Sequence, residues 1–328
     1  MMMNTDTLHE IQAPITDELM QFNALFQAAM RHDNPLLNAA LQRILQGTGK
    51  QMRPTLTLLS ARRVGEVNEK VLNVALALEL LHTATLLHDD VVDESDMRRG
   101  WPSINAVMGN QVAVLVGDFV LSKGLQHAAA TQSNAVFAAI AELGQTLADG
   151  ELIEMHNAEQ GLLDEASYFE VNRRKTASLF SACARLGTLM AGGTEEEAER
   201  MSRFGQLVGM CFQLRDDIFD LVAPEQLGKP VGNDMREGKV TLPTLYALHH
   251  QENEEMLQIA TRVRAREATD EEIQALTQYT FDNGGIEYAQ WQMDQFRMMA
   301  AGLIQDDKDT VIAEALLTYI NYVIYRQH

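Results

Sequence analysis

The chain has only two cysteines, Cys183 and Cys211, among 328 residues. A disulfide framework or a cysteine-based zinc site cannot be assembled from them, which fits a cytoplasmic protein. Aromatic residues make up 6% of the sequence, a balance that suits a Leu- and Ala-rich helical protein better than a sandwich or barrel. Positive charge is scarce, with 26 Lys and Arg against 46 Asp and Glu and a net charge of −20. Without a long basic run, no nucleic-acid surface is expected. The opening "MMMNTDTLHEIQAPITDEL" has no basic segment followed by an apolar core, so it reads as no export signal, and residues 1–14 are expected to be flexible. Long apolar runs free of charge are missing too. The best candidate, residues 71–87, contains Asn73, Glu79 and His82 and runs into Asp89, so a membrane span is not expected.

What is present is a three- and four-residue apolar repeat along nearly the whole chain, with no sustained alternation. The pattern predicts an all-α fold, one large helical bundle over residues 1–328, with helices near 15–31, 35–46, 51–64, 68–94, 103–109, 111–130, 133–159, 165–191, 195–222, 241–265, 270–283, 285–304 and 308–326. Thr194 with Glu197, and Thr269 with Glu272, match the capping box that starts a helix. Loops are predicted at "QGTGKQMRP" (46–54), "DMRRGWPS" (96–103) and "APEQLGKPVGNDMREGKVTLP" (223–243). The last is long enough to suggest function.

Two clusters share one spacing. "DDVVD" supplies Asp89, Asp90 and Asp93, and "DDIFD" supplies Asp216, Asp217 and Asp220, each at the end of an apolar helical pattern. Four residues make about one turn, so Asp89 and Asp93 share a helix face, as do Asp216 and Asp220. Such pairs repel, and burial sharpens the repulsion. A hard divalent cation removes it: Mg²⁺ is commonly held by one or two carboxylates together with substrate phosphate oxygens. A solvated acidic face is the usual reading of one such cluster, but apolar flanks and duplication argue against it here. Cations gather at the loops: Lys50 and Arg53, Arg98 and Arg99, Lys175 beside Thr176, then Lys229 and Lys239. Arg offers paired donors to phosphate oxygens and Lys a point charge.

The ordered set "GKQMRP", "HDDVVDESDMRRG", "RKTA", "FQLRDDIFD" and "GKPVGNDMREGK" resembles the trans-isoprenyl (polyprenyl) diphosphate synthases, in particular the long-chain bacterial enzymes of the octaprenyl type. The resemblance spans roughly residues 20–328. It implies an isoprenoid-synthase bundle with a central cavity, two or three Mg²⁺ ions per site, and a homodimer. Asp89, Asp93 and Asp216 would bind metal, with Asp90, Asp217 and Asp220 supporting the ions and their waters. Lys175 completes the expected catalytic set. Arg98, Lys175, Thr176, Gln213 and Lys229 would hold the allylic diphosphate, and Lys50, Arg53, His82 and Arg99 isopentenyl diphosphate. A lone histidine in an apolar helix is more often a packed core residue, so His82 rests mainly on its place before Asp89. Glu151 and Glu154 of "GELIEM" depart from the Gln and Asp that many relatives carry.

The implied chemistry is ionisation of the allylic C–O bond, attack by isopentenyl diphosphate, and loss of a proton to the released diphosphate. Chain length should follow from how far the product extends between helices. Thr85 and Ala84 lie about one turn below Asp89, and neither is an aromatic plug; with Leu81 and with Ala128 on the 111–130 helix they are the expected wall. Small residues can equally serve close helix packing. The expected product is long, C40 within a range of C35 to C50, made from a primer such as farnesyl diphosphate and destined for quinone side chains, with transient membrane contact for release. The competing readings are a shorter product of C15 to C20, a terpene cyclase, a head-to-head prenyl synthase, and a non-catalytic synthase subunit.

Overall fold

The structure is a computed structural model that describes residues 5–47, 49–222, 232–305, 307 and 309–326. Helix starts follow the side-chain chemistry of the sequence. Asn34 and Asn68 accept backbone N–H bonds from the first turns of α3 (Pro35–Gln46) and α5 (Glu69–Val92). Both capping boxes form: Thr194 and Glu197 bond reciprocally at the start of α11 (Glu195–Val222), and Thr269 and Glu272 at the start of α15 (Asp270–Asp282).

The remaining elements are α1 (Thr5–Gln12), α2 (Thr16–Ala29), α4 (Met52–Arg62), α6 (Ile104–Met108), α7 (Asn110–Ala130), α8 (Asn134–Glu159), α9 (Glu165–Asn172), α10 (Ser178–Met190), α12 (Asn233–Arg236), α13 (Leu242–His250), α14 (Glu254–Arg264), α16 (Gly285–Ile304) and α17 (Thr310–Tyr325). The all-α expectation holds, and four local readings are corrected. Residues 5–15 are helical rather than flexible, because Ile11 and Ile15 are fully buried and α1 packs on α17. The expected helix 241–265 breaks after His250, where Gln251 is extended and Asn253 caps a new helix. Between α9 and α10 the chain continues through a π-helical turn, Arg173–Ala177. The loop 96–103 contains a minimal antiparallel hairpin, β1 (Met97–Arg98) with β2 (Trp101–Pro102).

α5 is the axis of the fold. It is long and apolar enough to cross a bilayer by length and composition, yet most of that stretch is buried among α2, α4, α7 and α10. Each Leu so enclosed contributes roughly 1.5–3 kcal/mol. At 1.5 Å per residue α5 spans about 36 Å, and it carries the first aspartate cluster at its C-terminal end. α11, packed against α10 and α16, carries the second cluster in the same way.

The far end of the bundle is closed by an ion triad. Asp307 accepts two 2.7 Å bonds from Arg63, beyond the end of α4, and one of 3.0 Å from Arg200 of α11. The Asp307 and Arg63 side chains are only 3% and 5% exposed. Asp307→Ala would leave buried guanidinium charge unpaired and should cost about 3–5 kcal/mol in urea unfolding; a loss under ~1 kcal/mol would mean that solvent supports these arginines.

Candidate active site

The two aspartate clusters divide their work in the same way. The middle residue of each turns inward. Asp90 is 3% exposed and accepts from Arg98 Nε at 2.8 Å and from its Nη2. Asp217 is 1% exposed and accepts from the Tyr168 hydroxyl and, at 2.8 Å, from the Gln213 amide. Both side chains orient their neighbours, Asp90 holding Arg98 and Asp217 holding Tyr168 and Gln213. Asp220 is committed as well, accepting backbone N–H bonds of 3.0 and 3.1 Å from Asn233 and Asp234 and so anchoring α12. Asp89, Asp93 and Asp216 all keep partial exposure.

These carboxylates are under strain from desolvation. Burial, then the nearby Glu151, lifts Asp89 from 3.8 to about 7, and burial lifts Asp217 to about 7 despite its two donors. Asp216 is pushed up by burial and drawn back by Arg326, whose guanidinium pairs with it. Arg326 is 3.9 Å from the Phe212 ring centroid and its side chain is 8% exposed, so a positive charge is already built in beside a proposed metal ligand.

Lys175 and Thr176 lie between α8 and the second cluster, and the Lys175 charge is felt at Asp89. The π-helical turn sends Lys175 toward α8, where it pairs with Glu151 at 2.6 Å and with Glu154. It sends Thr176 toward α11, where the hydroxyl donates to Gln213 Oε1 at 2.9 Å and so reaches Asp217. Such turns recur at functional sites because they re-aim consecutive side chains. The segment is wedged tightly. A Cβ on Gly150 of α8 would lie 2.9 Å from Lys175 Cγ, and one on Gly209 of α11 would lie 2.5 Å from Ala177 Cα. Burial alone would lower the Lys175 pKa, but Glu154 and Glu151 outweigh it and the ammonium is kept charged. Glu151 and Glu154 thus serve as its counter-ions. Lys239 pairs with Glu237 at 2.7 Å and lies near enough to Asp93 and Glu154 to feel their charge, tying the segment after α12 to the first cluster.

A cationic cradle lies alongside. The hairpin turn Arg99-Gly100 has positive φ at both residues, 52° and 80°, as a type I′ turn requires. Paired Arg98 and turn Arg99 therefore diverge: Arg98 goes to Asp90, while Arg99 Nη1 donates to the Gly47 carbonyl at 3.0 Å. Arg53 lies 4.7 Å from the Phe180 ring centroid, and its buried Nε has no partner. Lys50 sits 5.5 Å from the Tyr322 ring centroid on α17. His82, 8% exposed, is held well toward neutral, first by burial and then by Arg53 and Arg99. Lys229 lies outside the described residues.

The expected tunnel wall is only partly open. Thr85 keeps partial exposure, whereas Ala84, Leu81 and Ala128 are 1%, 4% and 0% exposed. α5 and α7 pack so closely that a Cβ on Gly124 would be 3.1 Å from the Ala77 carbonyl. Ala84 and Ala128, both small, are buried beside this close approach.

The polyprenyl synthetase family model matches residues 34–280. The chain belongs to that family. It is 35% identical to octaprenyl diphosphate synthase of Escherichia coli K12, covering 99% of both chains. A geranylgeranyl pyrophosphate synthase structure from Bacteroides thetaiotaomicron is 41% identical with a TM-score of 0.87, over 98% of this chain and 100% of that one. A Caulobacter crescentus polyprenyl synthase, complexed with calcium and isoprenyl diphosphate, has a TM-score of 0.91 at 28% identity, over 98% of each chain. The family members are prenyltransferases, so the two carboxylate clusters and the cationic cradle have a common purpose.

Sequence reasoning missed Arg326, Tyr168 and Glu79. None carries a motif signal: Arg326 sits in a short polar tail, Tyr168 in an unremarked helix, and Glu79 in a run otherwise apolar. Among the described residues no three His, Cys, Asp or Glu side chains converge to hold an ion unaided. Asp89, Asp93 and Asp216 nevertheless keep partly exposed carboxylate oxygens, and burial raises Asp89, so the donor set suits a hard cation completed by phosphate oxygens.

The raised Asp89 makes a signed prediction. Its folded pKa lies above the unfolded one, so the metal-free native state binds the extra proton between about pH 4 and 7 and loses stability as pH rises through that window. Asp89→Asn should be near neutral in stability at pH 4 and stabilising by about 1–3 kcal/mol at pH 8, measured by urea unfolding. Equal gains at both pH values would refute the assignment.

Proposed function

We propose that the chain is a long-chain trans-polyprenyl diphosphate synthase. It extends an allylic primer, farnesyl diphosphate, by repeated addition of isopentenyl diphosphate to all-trans-octaprenyl diphosphate for quinone side chains. The observation that carries the condensation is the Lys175–Thr176 pair, which faces Glu151 beside Asp89 on one side and the Gln213–Asp217 chain on the other, set beside a separate cradle whose Arg53 has an unsatisfied buried donor. Two anionic substrates need two such places.

In this reading Asp89, Asp93 and Asp216 hold Mg²⁺, which when bound neutralises the charge of the leaving diphosphate. Lys175, Thr176, Gln213 and Arg98, with Lys229, hold the allylic diphosphate. Lys50, Arg53, Arg99 and neutral His82 hold isopentenyl diphosphate. The allylic C–O bond breaks with its electron pair leaving on diphosphate, the isopentenyl double bond forms the new C–C bond, and a diphosphate oxygen takes the proton. The side chains contribute orientation, preorganised positive charge and exclusion of water. A cytoplasmic homodimer is part of the proposal, supported by exposed apolar Leu115 on α7 and Leu152 on α8. Transient membrane contact would accompany product release.

Product length rests on Thr85, the one wall position left partly exposed below Asp89. A C20 product is the second reading, favoured by the closed α5–α7 seam and by the name of the Bacteroides structure. Chromatography of products made by purified protein with Mg²⁺ separates the two: a C40 major product is expected, and a C15 or C20 product would defeat the long-chain reading. Thr85→Phe should shorten the product while turnover continues, and an unchanged distribution would remove Thr85 from the wall.

A further inference from the structure

Arg326 occupies a place that the proposed chemistry gives to a metal ion. It is the first residue past α17, where the chain leaves the helix at φ −57° and ψ 151° and the Arg326 N–H donates to the Tyr322 carbonyl at 2.9 Å. Its Nη2 donates to Asp216 Oδ1, its guanidinium lies against the Phe212 ring, and its own carbonyl accepts a 3.1 Å bond from Arg215 Nη2. The Arg326 side chain is 8% exposed. That of Asp216 is 46% exposed, so the carboxylate is open to a cation arriving from solvent although a guanidinium already holds one of its oxygens.

The two aspartate clusters differ in this respect. In the first, the arginine goes to the middle residue, Arg98 to Asp90. In the second, the middle residue takes the neutral donors of Tyr168 and Gln213, and the arginine goes to the outer residue instead. A guanidinium on a carboxylate does part of what a divalent cation would do there, neutralising the charge and filling a lone pair. The contact is also incompletely satisfied. The Nε atoms of Arg326 and Arg215 are both buried without a partner, so part of the desolvation cost of holding the guanidinium inside is not recovered. Letting it go needs only torsions at a residue beyond the helix end, with α17 left in place.

We propose that Arg326 is a removable stand-in for the second-cluster metal: it occupies Asp216 in the metal-free protein and is displaced when a divalent cation binds there. The inference rests on the reading of Asp216 as a metal ligand in the proposed function. Its consequence is an order of loading, in which the Asp89–Asp93 pair accepts a cation first and Asp216 accepts one only against competition from the chain's own arginine.

Titration of the full-length, substrate-free protein with Mn²⁺, read by the paramagnetic resonance signal of the free ion, tests it. The unmodified protein should show a weaker class of binding at Asp216, and Arg326→Gln should tighten that class by roughly tenfold or more, as expected for loss of a competing charged hydrogen bond. Arg326→Lys, which keeps a cation within reach, should leave the class weak. The gain should disappear in Arg326→Gln combined with Asp216→Asn. A second measurement needs no change at Arg326: trypsin cleavage after Arg326, followed by mass spectrometry as loss of Gln327 and His328, should speed up several-fold at saturating Mn²⁺, and in Asp216→Asn without metal. Equal Mn²⁺ affinity in the unmodified protein and Arg326→Gln, or a gain that survives in the double variant, overturns the proposal, as does cleavage indifferent both to Mn²⁺ and to Asp216→Asn. Absence of the weaker class from every variant overturns it together with the metal assignment of Asp216. The full set of expected shifts in a protein that extends no allylic primer would uphold the stand-in while rejecting the proposed function.

Discussion

Carboxylates at the ends of two buried helices are the constraint from which the rest follows. The apolar length of α5 and the packing of α11 put Asp89 and Asp216 where water cannot fully solvate them, and burial raises both. Each cluster answers by division. Its middle aspartate goes inward to a fixed donor, Arg98 in one case and Tyr168 with Gln213 in the other. Asp89, Asp93 and Asp216 keep partly exposed carboxylate oxygens, which is the condition for binding a cation and a diphosphate together. A site that satisfied every carboxylate internally would have nothing to offer either.

Holding that state requires a rigid brace, and the π-helical turn supplies it. In a regular α-helix, consecutive Lys175 and Thr176 would differ only by the helical rotation; here one reaches the counter-ions on α8 and the other the hydrogen-bond chain to Asp217. Gly150 and Gly209 let α8 and α11 approach the turn from both sides. The brace thus holds the α8 counter-ions that neighbour Asp89 and the hydrogen-bond chain to Asp217 in one rigid turn.

The sequence made the helices, their caps and the two clusters legible because those are local properties: periodicity, an Asn or Thr before an apolar run, and a repeated spacing. The hairpin was foreshadowed by "RRG", since only a residue tolerant of positive φ suits the second turn position, but two residues per strand are too few to show alternation. What escaped was set by tertiary contact. Arg326 reaches Asp216 across 110 positions of chain, and Tyr168 reaches Asp217 across 49. The π turn is invisible to a period of 3.6, and the inward turn of Asp90 depends on where the hairpin delivers Arg98. The order of residues 5–15 depends likewise on Ile11 and Ile15 finding buried surroundings elsewhere in the fold.

The long product proposed above would require the closed α5–α7 seam to part, and the same small residues that shut the seam favour that. Parting two helices costs the dispersion contacts between them, and a seam of Ala77, Ala84, Gly124 and Ala128 carries few contacting atoms compared with one built from leucines. Each methylene that a growing chain buries in their place returns about 0.8 kcal/mol. The balance therefore shifts toward opening as the product lengthens, until the chain meets side chains too large to displace. On the proposed long-chain reading the tail would pass Thr85 first, and deeper along α5 Asn73 Oδ1 accepts a 2.8 Å hydrogen bond from His127 Nδ1 of α7, a polar contact that an advancing apolar tail would have to break rather than replace an apolar one.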